Sequence, residues 1–311
     1  MNTKKFTQNR WKFVIIPALI IVLGIVMYIV HGGFNFDIEF LGGTRMQVEL
    51  NTEFNNDEIT KEVMDQLNLS AAVQKSGTST TQAVIKLQNT DDNKTAQENV
   101  MKILREKYNL AEDAQPMSVS TASASFGMEV QRKALLYTLL AIICILIYIA
   151  IRFEWRSAIM AVIALAINVV VMAAVYAITN IALNTTFIAA MLTVVGYSIN
   201  NTIVIFDRIR ENMKGRRKEE SIEQLVDRSI VETLGRTINS TITTLITIVL
   251  IYILGVNTIK EFALPLIIGI AIGAYTSIFI ASTFWAVWRE SALKAKAEAA
   301  AERRAAGKKK K

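Results

Sequence analysis

The 311-residue chain has few of the residues that most chemistry needs. A single cysteine, Cys144, excludes an intrachain disulfide framework, and a single histidine, His31, leaves no imidazole cluster to hold a metal. Charged residues make up 20% of the chain, below the roughly 25% of soluble domains. Hydrophobic residues reach 52%, and mean hydropathy is +0.35. No nucleophile–base constellation stands out, and no loop is built to cradle a phosphate. The expectation is therefore a protein without enzyme activity, catalytic residues, cofactor or metal. The net charge of +7 would suit a nucleic-acid binder, but its distribution speaks against one. Residues 33–131 hold 15 acids and 8 bases, whereas the rest holds 12 acids and 26 bases. A membrane protein with one acidic external domain shows this segregation, so the charge reports topology.

Six charge-free stretches account for the hydropathy: 13–30, 134–151, 158–178, 186–206, 237–256 and 262–288. Each approaches or exceeds the ~20 apolar residues needed to cross a bilayer, and lipid admits such segments only as helices. The first is longer than a signal-peptide core and lacks a clear small-residue cleavage site, so it reads as an uncleaved span, with a removed signal as the weaker alternative. Lysine and arginine gather in the N-terminal flank, the Arg152–Arg156 link, segment 207–236 and the tail from Arg289. That pattern puts both termini in the cytoplasm. The chain divides into a basic N-terminus (1–12), a first span (13–31), an external domain (32–132), spans two to six (133–288) with a cytoplasmic loop at 207–236, and a basic tail (289–311).

The external segment carries alternating periods. TRMQVEL, residues 44–50, places Met46, Val48 and Leu50 on one face, which is a half-buried strand. DEITKEVMDQL follows as an amphipathic helix with Asn55 or Asn56 as its cap. AAVQK and QAVIKLQ read as strands around the turn-rich SGTSTT, TAQENVMKILREKY as a second helix, and MSVST as a last strand. The order β-α-β-β-α-β predicts an α+β, ferredoxin-like domain. Gly42 and Gly43 supply a tight turn before the first strand. In the cytoplasmic loop, Ser221 and Gln224 fit a capping box, and Ile222, Leu225, Val226, Ile230 and Leu234 line one helical face. That face would lie on the membrane or dock a partner. The Ala/Lys/Glu/Arg-rich tail would fray, and its attraction to anionic lipid or RNA would be unspecific.

Within the spans, polar residues are the informative ones. GYSINNT puts Tyr197, Ser198, Asn200, Asn201 and Thr202 at bilayer depth, and the fifth span adds Asn239, Ser240, Thr241, Thr243 and Thr244 with Arg236 at its mouth. Such residues face a bundle interior, a partner or a water path, or simply bond helix to helix. An inward-snorkelling Arg236 would approach Asn201. Gly269 and Gly273 form a close-packing G-x-x-x-G.

Three blocks carry a resemblance. FNFDIEFLGGT is similar to a G-x-D-F-x-G-G-T element, FEWR (Phe153–Arg156) sits between spans two and three, and the fourth span reads AAMLTVVGYSINNTIVIFDRIREN before GRTINSTITTL. The chain resembles the SecF subunits of the bacterial SecDF protein-export complex, in the RND superfamily. The resemblance covers nearly the whole chain and implies a six-helix half-transporter in the bacterial cell membrane. Its implied partners are SecD, the Sec translocon channel, a YidC-type insertase, exported preproteins and membrane lipids, and no nucleic acid. Gly42, Gly43, Gly196, Asp207, Arg208, Arg210, Glu211 and Asn212 match family motif positions. The resemblance also implies use of a proton or sodium gradient through a carboxylate at position 201, with Arg236 beside it. Here Asn201 replaces that aspartate, and an amide does not titrate, so coupling through this subunit comes into question. Glu39 likewise replaces an aspartate but keeps the charge. The alternatives are a non-coupled assembly subunit of the same complex and, more remotely, an unrelated RND-type exporter.

Overall fold

The computed structural model describes residues 5–69, 71–76, 80–88, 90, 92–152, 154–216 and 219–309. Six helices are long and apolar enough to cross a membrane, as expected. Helix α1 (Arg10–Val30) leads to a single turn, α2 (Ile38–Leu41), and then to the external domain. There, β1 (Gly43–Glu49), α3 (Asn56–Leu67), β2 (Ala71–Lys75), β3 (Gln82–Gln88), α4 (Asn93–Tyr108) and β4 (Ser118–Ala122) follow in order. The remaining helices are α5 (Ala124–Arg152), α6 (Trp155–Thr179), α7 (Thr185–Lys214), α8 (Ile222–Leu254), α9 (Asn257–Thr276) and α10 (Ser282–Lys309), with a π-helical turn at Ser277–Ala281.

The external sheet has the order β2-β3-β1-β4 with every pairing antiparallel, which is the ferredoxin-like topology. Met46, Val48 and Leu50 are buried together with Ile59 and Val63 of α3 and Val100 and Leu104 of α4. Asn55 caps α3, its side chain accepting from the Asp57 amide. Gly42 and Gly43 have φ of 79° and 145°, and a side chain on Gly43 would meet the Leu87 carbonyl oxygen. The SGTSTT turn falls largely outside the described residues, as does Phe153 of the FEWR block.

The opposite face of the sheet is not a solvent face. Lys86 on β3 is buried, and its cross-strand neighbour on β1 is Arg45. Two cations side by side repel. Each is answered by a carboxylate from outside the sheet: Lys86 pairs with buried Asp37, and Arg45 pairs with Glu261 at the outer end of α9, 3.3 Å away. Glu261 also accepts from Asn184 at 2.8 Å, and Asn184 in turn caps α7 through the Phe187 amide. Glu39 accepts from the amide and hydroxyl of Thr185 at the start of α7, where the helix dipole favours an anion. Backbone bonds join the Asp37 amide to the Leu183 carbonyl and the Leu183 amide to the Asn35 carbonyl. The FNFDIEF segment thus clamps the external domain onto the outer ends of α7 and α9.

At the end of the bundle away from the sheet domain three expectations change. Segment 207–236 is not a loop: α7 runs on to Lys214 and α8 starts at Ile222 behind the expected Ser221–Gln224 capping box, leaving only a short link. The apolar face of that extension neither lies on the membrane nor waits for a partner. Ile222, Leu225, Val226 and Ile230 pack against Ile205, Phe206, Ile209 and Trp285 of this chain. The tail continues as helix α10 to Lys309 instead of fraying from Ser291. Residues before α1 are held as well: the Thr7 amide and hydroxyl both donate to buried Asp227 on α8.

Removing one partner of a buried ion pair leaves an uncompensated charge, which costs about 3–5 kcal/mol, whereas replacing both is far milder. Lys86→Leu should therefore lower thermal stability by about that amount, and Asp37→Leu combined with Lys86→Leu should recover most of it. Thermal unfolding of the detergent-solubilised chain measures this, and a double variant as unstable as the single one would contradict the clamp.

Candidate functional site

The centre of the bundle is α9 with its π-helical continuation, packed on α6, α7 and α8. Its G-x-x-x-G lets the helices approach. A side chain at Gly269 would meet Val194 and Met172, and one at Gly273 would sit 2.0 Å from the Ser198 hydroxyl and 2.9 Å from the Asn168 amide. That space holds a polar layer in an otherwise aliphatic bundle. Asn168 of α6 donates to Ser198 of α7 at 2.8 Å. One turn on, the Thr202 hydroxyl lies 2.8 Å from that of Ser277, and both hydroxyls reach the Ser198 carbonyl, at 3.0 and 3.2 Å. The π-turn begins at Ser277, and such turns recur at functional positions of helices.

Asn201 is 3% exposed and borders this layer, with its amide nitrogen lacking an acceptor. The carboxamide oxygen of Asn168 and the hydroxyls of Thr237 and Thr241 are buried without hydrogen-bond partners too. Unpaired polar atoms at membrane depth are expensive, and those of α6, α7 and α8 make this layer the candidate site.

Other expected residues lie elsewhere. Asn200, next to Asn201, points outward and is exposed, as are Thr193 and Gly196 on the same side of α7. Arg236 does not reach Asn201. It is exposed on α8 and has no hydrogen bond or ion pair among the described residues, because Thr233, Thr237 and Thr241 take the inward positions at helical spacing. Tyr197 is half-buried and bonds the Thr244 hydroxyl of α8 at 3.4 Å. The motif after the fourth span is a brace between helices. Arg208 pairs with Glu211 and with Glu232 of α8 at 2.6 and 2.7 Å, and Asn212 donates to Ser229 and Glu232 at 2.9 and 2.8 Å. Asp207 and Arg210 are exposed. Asn168 and Ser277 escaped the sequence reading. A lone asparagine in IALAINVVVM is the signal that would have found the first, while Ser277 is one of many small residues in its span.

Residues 102–291 match the family model for the protein export membrane protein SecD/SecF, C-terminal region. The chain belongs to the SecD/SecF protein-export family. It is 36% identical over 293 residues to the protein translocase subunit SecF of Alicyclobacillus acidocaldarius, covering 92% of each chain. It is 34% identical to the protein translocase subunit SecDF of Bacillus subtilis, covering 93% of this chain but 38% of that longer one. Among solved structures, SecDF from Thermus thermophilus, described as a translocon-associated membrane protein, superposes with a TM-score of 0.79 at 28% identity. That match covers 92% of this chain and 39% of that one. The six helices and the small sheet domain follow the RND-like plan of the family.

Filling the Gly273 space tests the polar layer. Gly273→Ala forces Ser198 off Asn168, and such overpacking costs about 1–3 kcal/mol. Thermal stability should fall accordingly and be partly restored by adding Ser198→Ala; an unaffected single variant would mean that the helices do not approach as described.

Proposed function

We propose that this chain is one half of a two-part membrane transporter. It pairs with a SecD-type half and assists preprotein export at the Sec translocon, with ion coupling carried outside this subunit. One observation carries the pairing. Thr193 and Asn200 of α7 and Arg236, Asn239, Ser240, Thr243 and Thr247 of α8 are all exposed within apolar spans. Thr193, Ser240, Thr243 and Thr247 donate to carbonyls of their own helices. Asn200, Asn239 and Arg236 have no such outlet among the described residues. Lipid hydrocarbon offers the two asparagines nothing, so a second protein surface must cover them, with Arg236 beside that surface at the mouth of its span. The fused SecDF relatives, of which this chain corresponds to under two fifths, carry enough additional chain to supply it. In the bacterial cell membrane, with both termini cytoplasmic, residues 32–132 stand outside, where the external domain would meet SecD or an emerging preprotein. A YidC-type insertase and the translocon channel are the further partners of this reading.

Coupling is the finer point. None of the six charge-free stretches contains a carboxylate, and Asn201 lies buried where the family pattern has one. The subunit by itself therefore has no mid-membrane acid to load and release a proton, which also favours the second reading, an assembly subunit that holds the complex without transmitting a gradient.

Single cysteines placed in a Cys144→Ala background separate the faces. Asn200→Cys and Thr243→Cys should crosslink to the SecD-type half in membranes, whereas Val22→Cys on α1 should not; the reverse pattern would refute the pairing face. For coupling, Asn201→Asp should raise uncoupler-sensitive export in vesicles holding the whole complex. Unchanged export with Asn201→Asp, together with a loss on Arg236→Gln, would show that the arginine works without that carboxylate.

A further inference from the structure

A cavity of about 350 Å³ opens at the opposite end of the bundle from the external domain, between α5, α6, α7 and α10. Its deep wall is apolar: Phe206, Ile209 and Trp285 are almost fully buried. Its rim carries Arg210, Arg289, Glu154 and the hydroxyl of Ser157. Arg210 has no partner among the described residues, while Arg289 reaches Glu154 at 3.2 Å through one terminal nitrogen. In two of the lining residues a buried nitrogen has no partner among the described residues, the Nε of Arg289 and the indole nitrogen of Trp285. Both are donors. Beside the rim, Arg156 adds a third guanidinium, 4.9 and 5.9 Å from the rings of Trp155 and Trp288, and its Nε is buried without an acceptor as well. The group that fits must be an acceptor with negative charge, because the single carboxylate present is already engaged.

Its other end must be apolar. Ile151 at the cavity mouth is 83% exposed, and Leu136, Leu140, Ile143 and Ile147 continue from it along one face of α5, all exposed. The spacing of three and four residues makes this a continuous strip running from the cavity into the hydrocarbon zone. Trp155 and Trp288, packed edge to face with centroids 5.1 Å apart, sit where aromatic belts mark the interface. Basic pockets between helices on the cytoplasmic side hold acidic lipid headgroups.

We infer that this cavity is a binding site for an acidic phospholipid. Its phosphate is held between the guanidinium groups of Arg210 and Arg289 at the rim, and one acyl chain lies along the Leu136–Ile151 strip of α5. The inference takes its leaflet from the cytoplasmic placement of the termini, but the test below works in detergent and does not depend on orientation.

The full chain, purified in detergent, is offered equal amounts of phosphatidylglycerol and phosphatidylcholine, and retained lipid is read by native mass spectrometry. Phosphatidylglycerol should be retained in preference. Each of Arg210→Gln and Arg289→Gln should weaken retention about fivefold, and both together about 25-fold, since a basic residue near an acidic headgroup contributes on that scale. Arg210→Lys and Arg289→Lys should keep the preference. Should the glutamine variants unfold, the lysine variants and the lipid preference of the unaltered chain still decide. Equal retention of the two lipids, or glutamine variants that fold and bind normally, overturns the proposal. Displacement by millimolar inorganic phosphate would make this a free-anion site, and expulsion of the lipid when the SecD-type half binds would make it a protein interface; either result also overturns it.

Discussion

Hydrocarbon offers no hydrogen bonds, and that constraint decides how this molecule is built. Every polar group placed at bilayer depth must find its partner inside the bundle, in a second chain or in trapped water. The bond from Asn168 to Ser198 is the clearest solution. It exists only because α9 has glycine at 273, where any side chain would occupy the place of the Ser198 hydroxyl. An interhelical polar contact of this kind is worth only ~0.6 kcal/mol on average. Its value lies in setting which faces meet: the central helix, with its π-turn at Ser277, is seated on α6 and α7 at one register.

The same constraint sorts the remaining polar side chains into two groups. Thr237 and Thr241 turn inward with Asn201 and leave a small set of unpaired atoms within the half-transporter. Asn200 and Asn239 turn outward within their spans, and Arg236 does so at the mouth of the fifth. Adjacent residues 200 and 201 thus occupy different neighbourhoods, one on the outer surface of the bundle and one within it. At 201 an amide, which does not titrate, is buried in the inner region.

Charge does the corresponding work in the sheet domain. Arg45 and Lys86 are cross-strand neighbours that would repel, and the sheet tolerates them because Glu261 and Asp37 reach them from the membrane-facing side. The external domain is therefore docked by ion pairs as well as tethered by the chain. Glu39 reaches the N-terminus of α7, where it accepts from the Thr185 amide. At the opposite end of the bundle, Arg208, Asn212 and Glu232 brace α7 against α8, which gives a structural reason for the polar run that follows the fourth span.

The sequence by itself determined the local order of this protein. Hydrophobic runs marked six spans, alternation marked β1, and Asn55 and Ser221 marked helix starts, because each signal depends only on near neighbours along the chain. Charge-free length, however, underestimated α7 and α8, since a helix does not stop at the edge of the hydrocarbon when its apolar face continues onto Phe206 and Trp285. The site was half legible. Asn201 and Ser198 stood out, while Asn168 and Ser277 did not, and the direction of Arg236 could not be read. Those questions concern which face of a helix meets which neighbour, and only the packing of α6, α7, α8 and α9 around Gly269 and Gly273 decided them.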